Sequence, residues 1–236
     1  MPSYVISDIH GEYDKFNELL DIIGFGSEDT LYVLGDILDR GPHPIKTVLK
    51  LMEMPNAVCI VGNHEVMALT CLRLLVREIT ENSLSDLDEY MLENMMTWQY
   101  NGSSTTINEF KRLDPEQREA VLEFLEDLPL YEEVTAGGKK YLLVHAGLGN
   151  YSPEKELGRY TLNEMVWFRA DYSTDYFPDV ITVTGHTPTR FIEGNPEPDR
   201  IYRKNNHIAI DCGACLPSGR LAALCLDTGE EFYTKD

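Results

Sequence analysis

Leu31-Tyr32-Val33-Leu34-Gly35-Asp36-Ile37-Leu38-Asp39-Arg40-Gly41 is the stretch that decides the fold. Four apolar residues, a length suited to a buried strand, stop at a glycine and give way to two aspartates and an arginine. The arrangement recurs four times. Residues 4–6 lead into Ser7-Asp8-Ile9-His10-Gly11, and 58–61 into Gly62-Asn63-His64-Glu65. Residues 142–144 lead into His145-Ala146-Gly147, and 181–184 into Gly185-His186-Thr187-Pro188. In open α/β sheets the carboxyl ends of strands face the crevice where ligands bind. Neighbouring glycines let the chain turn sharply there, so that polar side chains converge.

Working outward, residues 14–23 carry Phe16, Leu19, Leu20 and Ile23 at helical spacing, and 44–54 read as a second helix. With strands at 3–7, 30–34 and 57–61, the first third alternates strand and helix, which indicates an α/β layer architecture with buried strands. Residues 65–130 are expected to be mostly helical. Asp114-Pro115-Glu116-Gln117 is a helix start, with an acid cap, proline at the first position and a capping glutamine. Ala120, Val121, Phe124, Leu125 and Leu128 form the apolar face that follows. Strands return at 140–144, 180–184, 207–210 and 221–226. Without repeats or linkers, the expectation is one domain, 1–236, carrying a helical insertion at about 66–134.

Composition narrows the function classes. Of 236 residues, 43% are apolar and 25% charged, which fits a globular chain rather than a disordered one. Forty acids against twenty bases give a net charge of −20, which repels polyanions and argues against nucleic acid as a partner. No run approaches 18 apolar residues, so no membrane partner is expected. Five cysteines in no framework pattern suit a reducing compartment, and Met1-Pro2-Ser3 lacks the basic and apolar regions of a secretory signal. A cytoplasmic location is expected. Cys212-Gly-Ala-Cys215 has no second ligand pair and reads as structural or incidental thiols. Nothing in the sequence indicates an oligomeric state.

Six histidines occur, and four of them (His10, His64, His145, His186) stand at the strand ends. A lone strand-end histidine is more often a satisfied core residue than a ligand. Four of them beside Asp8, Asp36 and Asn63 make a donor set of imidazole, carboxylate and amide oxygen without thiolate, suited to manganese, iron or zinc. Two ions roughly 3.5–4 Å apart need a shared ligand, and a carboxylate can bridge them.

Taken in order, these motifs resemble the signature of the phosphoprotein phosphatase family of calcineurin-like metallophosphoesterases, in particular its small bacterial and bacteriophage members. The resemblance runs from Ser7 to about Gly213. It implies a central β-sandwich flanked by helices (α/β/β/α layers) and two divalent metal ions, manganese first, with iron or zinc as alternatives. Asp8 and His10 would bind the first ion, Asp36 would bridge, and Asn63, His145 and His186 would complete the second site. His64 would be the proton donor, held by Asp39. Arg40 would grip the phosphate beside Asn63. Arg169, in Met165-Val166-Trp167-Phe168-Arg169, resembles a second phosphate-binding arginine, with Arg190 as a competitor. Ser7 stands where the family usually has glycine. Glu65 is expected to make structural hydrogen bonds, Trp98 to pack in the core, and His43 and His207 to lie outside the ligand set.

The resemblance implies a hydrolase of phosphoserine and phosphothreonine in proteins, and by extension phosphotyrosine, attacking with a hydroxide made available by the two metals and forming no phosphoenzyme. Small phosphorylated compounds are the other substrate class: the alternative is a dinucleoside polyphosphate hydrolase of the diadenosine tetraphosphatase type. A non-catalytic phosphate-binding scaffold ranks last, because it would have lost a ligand or the proton donor.

Overall fold

A computed structural model describes residues 1–76 and 89–235. The first three strands, β1 (Ser3–Ile6), β2 (Thr30–Val33) and β3 (Ala57–Cys59), pair in parallel. They are linked by helices α1 (Tyr13–Ile23) and α2 (Pro44–Met52). Gly24, at φ 62°, ends α1, and Pro44 opens α2 where a missing N–H costs nothing. Helices α3 (Asn63–Val76), α4 (Glu89–Tyr100), α5 (Ser104–Phe110) and α6 (Pro115–Glu126) follow. Strands β4 (Tyr131–Ala136) and β5 (Lys139–Val144), helix α7 (Leu162–Val166), and strands β6 (Val180–Thr184), β7 (Tyr202–Lys204) and β8 (His207–Ala209) come next. The last two strands are β9 (Ala222–Cys225) and β10 (Glu231–Tyr233).

Two five-stranded sheets result, ordered β10-β9-β1-β2-β3 and β4-β5-β6-β8-β7. Successive side chains of a strand point to opposite faces, and the core divides accordingly. Val5, Leu34 and Ile60 of the first sheet meet Tyr141, Leu143, Val183 and Ile208 of the second. Tyr4, Ile6, Leu31 and Val33 face the other way, against α1, α2, α3 and α6. Leu142 and Val144 turn to the outer face of the second sheet, against Leu148 and Met165. The layers are α/β/β/α, as the resemblance implied.

Asp114 and Gln117 form the expected reciprocal cap of α6. The expected insertion is corrected at its end, because β4 already occupies residues 131–134. The portion of the insertion at 77–88 lies outside the described residues. Three strands, β4, β7 and β10, escape the sequence reading. All are sheet edges with one side toward solvent, so Glu132, Glu133, Arg203 and Glu231 interrupt their apolar pattern. Among the described residues no helix is long and apolar enough to cross a membrane.

Candidate metal centre

The five motif loops meet at one end of the sandwich. The loops after β1 and β2 zip together: Asp8 N–H donates to Gly35 O at 3.2 Å, His10 N–H to Asp36 O at 2.9 Å, and Gly11 N–H to Ile37 O at 2.8 Å. Glu65, in the first turn of α3, accepts from the N–H groups of Asp36 (2.7 Å), Ile37 (2.9 Å), Leu38 (3.2 Å) and Gly62 (2.9 Å). It is the structural clasp the sequence suggested. A Cβ on Gly62 would sit 2.3 Å from Asp36 Oδ1, so only glycine allows that approach. The second sheet joins through Gly185 N–H on His145 O (2.8 Å) and His186 N–H on Asp8 Oδ2 (3.0 Å).

Convergence strains the backbone. Among the described residues eleven non-glycines have positive φ, and six are site residues: Asp8, His10, Asp36, Asp39, Arg40 and His186. Each such conformation costs on the order of 1–3 kcal/mol and persists only where surroundings enforce it.

The histidine tautomers follow from their partners. His10 Nδ1 donates to Leu38 O (2.8 Å) and His145 Nδ1 to Leu34 O (2.6 Å), which leaves each Nε2 with its lone pair directed inward. Potential ligand atoms of His10, Asp36 and His64 lie within 4.8 Å of one another, and so do those of Asp36, His145 and His186. Asp36 belongs to both groups, with Oδ2 3.6 Å from His10 Nε2 and Oδ1 3.4 Å from His145 Nε2. Asn63 Oδ1 lies 3.0 Å from His145 Nε2 and 2.9 Å from His186 Nδ1. Two acceptors facing each other at 3.0 Å, His145 Nε2 and the Asn63 amide oxygen, suit a cation between them. Asp8 adjoins these groups without being in either, its carboxylate accepting from Ser7 Oγ and the His186 N–H.

Burial pushes the Asp8 and Asp36 carboxyls well up, and it pushes His10 and His145 well down. It also takes His186 to about 4, with Arg169 adding to the effect. Neutral imidazoles are the form that binds metal, and divalent cations would restore charge to the carboxylates. Hard oxygen and imidazole donors fit manganese, iron or zinc.

Beside this donor set, His64 Nδ1 lies 2.6 Å from Asp39 Oδ2. Asp39 is fully buried and is held by two residues of the helical insertion. Trp98 Nε1 donates to Oδ2 (2.8 Å) and Thr106 Oγ1 to Oδ1 (2.5 Å). Burial raises the Asp39 carboxyl to about 6, and those two hydrogen bonds oppose the shift. Burial and then Arg40 push His64 well down. Arg40 places Nη1 2.8 Å from His10 Nε2 and Nη2 3.0 Å from His64 Nε2.

Trp98 is in the core as expected, yet its indole N–H also serves the site. Thr106 was not singled out from the sequence. At 59 and 67 residues from Asp39, neither carries a motif that announces the contact. Arg169 is exposed on the His186 side. Arg190 is committed elsewhere, to Asp199 Oδ1 (2.5 Å) and Pro217 O (3.0 Å). His43 pairs with Glu109 (3.0 Å) and His207 Nε2 with Thr174 O (2.8 Å), both away from the centre as expected. Cys212 and Cys215 are free thiols, Cys215 Sγ lying 3.9 Å from Arg40 Nη1.

Residues 1–213 match the family profile described as calcineurin-like phosphoesterase. The chain belongs to the calcineurin-like phosphoesterase family. It is a metallophosphoesterase, a hydrolase whose family implies divalent metal ions. This phosphoesterase is 30% identical to the asymmetrical bis(5'-nucleosyl)-tetraphosphatase PrpE of Halalkalibacterium halodurans, across 93% of this chain and 88% of that one. It is also 30% identical to serine/threonine-protein phosphatase 2 of Escherichia coli, across 93% of this chain and 90% of that one. A crystal structure assigned provisionally to a diadenosine tetraphosphatase superimposes with a TM-score of 0.68, covering 99% of this chain and 93% of that one at 18% identity.

Proposed function

We propose that this phosphoesterase hydrolyses dinucleoside tetraphosphates at a two-cation centre held by Asp8, His10, Asp36, Asn63, His145 and His186. The observation behind the two-cation reading is Asp36, which turns one oxygen toward His10 and the other toward His145. Full-length similarity to the Halalkalibacterium tetraphosphatase directs the choice of substrate. Cations bound there, manganese by our reading, supply an acidified water and positive charge for the phosphoryl oxygens.

The chain's own residues do the rest. Arg40 offers both Nη groups to phosphoryl oxygens, exchanging its contacts with His10 and His64 for a charge-assisted fork. Arg169 approaches from the open side, and Asn63 adds its amide. His64 hands a proton from Nε2 to the leaving oxygen while Asp39 holds Nδ1. Arg40 opposes a charged His64 in the free protein; a substrate phosphate on Arg40 offsets that charge and favours the protonated ring.

The test compares kcat/KM for diadenosine tetraphosphate and a phosphoserine peptide with Mn²⁺ present. A higher value for the dinucleotide is expected, with loss of both activities in chelator. A substantially higher value for the peptide would reverse the assignment. That second reading is the one the sequence placed first, and similarity to the Escherichia coli protein phosphatase favours it.

A further inference from the structure

Next to the metal centre, residues of Leu148–Tyr151 and Phe168–Tyr176 line a cleft of about 280 Å³. Its size falls just below that of most ligand sites, roughly 300–1,000 Å³, so it suits one ring system rather than a whole dinucleotide. Phe168 forms one wall and is 40% exposed. The ring is backed by Gly149, where a Cβ would lie 2.5 Å from Phe168 Cγ, and Gly149 N–H is anchored on Glu164 O at 2.9 Å. A flat aromatic surface is thus fixed from behind and open in front. Asn150 and Asp171 add polar groups to the lining. Asp171 Oδ2 carries a hydrogen bond from Thr174 Oγ1 (2.8 Å) and keeps a second lone pair.

The cleft is coupled to the centre through its own wall. Arg169 lines it and acts on His186, which also bonds to the Trp167 backbone. A phosphate chain leaving the centre on the Arg169 side would lead toward the cleft. We infer that the cleft is a nucleobase pocket, in which an adenine of the substrate stacks on Phe168 and gives its exocyclic amine to Asp171. The inference rests on the dinucleotide reading for its substrate, and on the cleft alone for its binding of a base. An acidic acceptor favours bases with an amino group over uracil.

The full chain, loaded with Mn²⁺, is titrated with adenosine 5'-monophosphate by calorimetry. It is also assayed on diadenosine tetraphosphate and on p-nitrophenyl phosphate, which has no base. Base–aromatic stacking predicts that Phe168→Ala weakens nucleotide binding about tenfold and lowers the ratio of the two kcat/KM values by a similar factor. Phe168→Trp, which keeps a flat ring, is expected to recover most of both. Thr174→Trp, which fills the cleft from another part of its lining, should reproduce the loss without removing Phe168. Unchanged binding and an unchanged ratio in both Phe168→Ala and Thr174→Trp would overturn the pocket, even with diadenosine tetraphosphate the preferred substrate. Nucleotide binding that is lost in those variants, in a protein that prefers the phosphopeptide, would uphold the pocket and remove the dinucleotide reading.

Discussion

Asp36 presents one carboxylate oxygen to each of two histidine groups, so its loss removes a donor from both. Asp36→Ala is expected to retain fewer than one tightly bound ion per chain, measured by elemental analysis after gel filtration; two retained ions would remove the bridging role. His64→Ala keeps the ions and lowers turnover by roughly 10²–10⁴, the usual contribution of a positioned acid. That loss should shrink for p-nitrophenyl phosphate, whose leaving group needs little protonation, and equal losses on good and poor leaving groups would contradict the assignment. These residues were legible in the sequence because each donor stands at the end of an apolar strand, mostly beside a glycine. Trp98 and Thr106 were not. Their contacts with Asp39 depend on how distant helices pack, and neither residue type signals such a contact by itself.

Helices α4 and α5 illustrate what an element contributes beyond its own stability, since Trp98 and the loop-facing Thr106 fix the carboxylate that aims His64. Trp98→Phe preserves the buried ring but deletes one hydrogen bond to a carboxylate. We expect kcat to fall about tenfold on a poor leaving group and less on a good one, with metal content unchanged. A fall that is identical for both leaving groups would assign Trp98 to packing alone. Helix α7 offers a pH test. Lys155, the Thr161 N–H and Asn150 draw the Glu164 carboxyl down to about 2. Because the folded value lies below the ordinary 4.5, its stabilisation is complete above that pH and disappears as pH falls toward 2. Glu164→Gln should therefore lower Tm by a few degrees at pH 7, and the gap from wild type should close on acidification through that window. At this scale, buried parallel strands such as β1 and β2 were readable as continuous apolar runs. The edge strands β4, β7 and β10 were not, because a half-solvated pattern interrupted by charged residues looks like loop.

Across the whole molecule, the proposed donors divide between the sheets. Asp8, His10, Asp36 and Asn63 follow strands of the first, whereas His145 and His186 follow strands of the second. Cations at the junction would therefore tie together two layers that otherwise meet through apolar packing and a few loop hydrogen bonds. Adding Mn²⁺ at 100 times its Kd is expected to stabilise the fold by about 2.7 kcal/mol per site, read as a higher Tm that chelator reverses. An unchanged Tm would mean that the ions do not bind the folded chain in preference to the unfolded one. Six site residues meanwhile hold left-handed backbones. Without its ions the chain carries the cost of the arrangement against its loop hydrogen bonds alone, and proteolysis follows the population of opened molecules. Scarcity of the metal would then shorten the lifetime of the polypeptide in the cell as well as slow its chemistry, so that abundance and activity decline together.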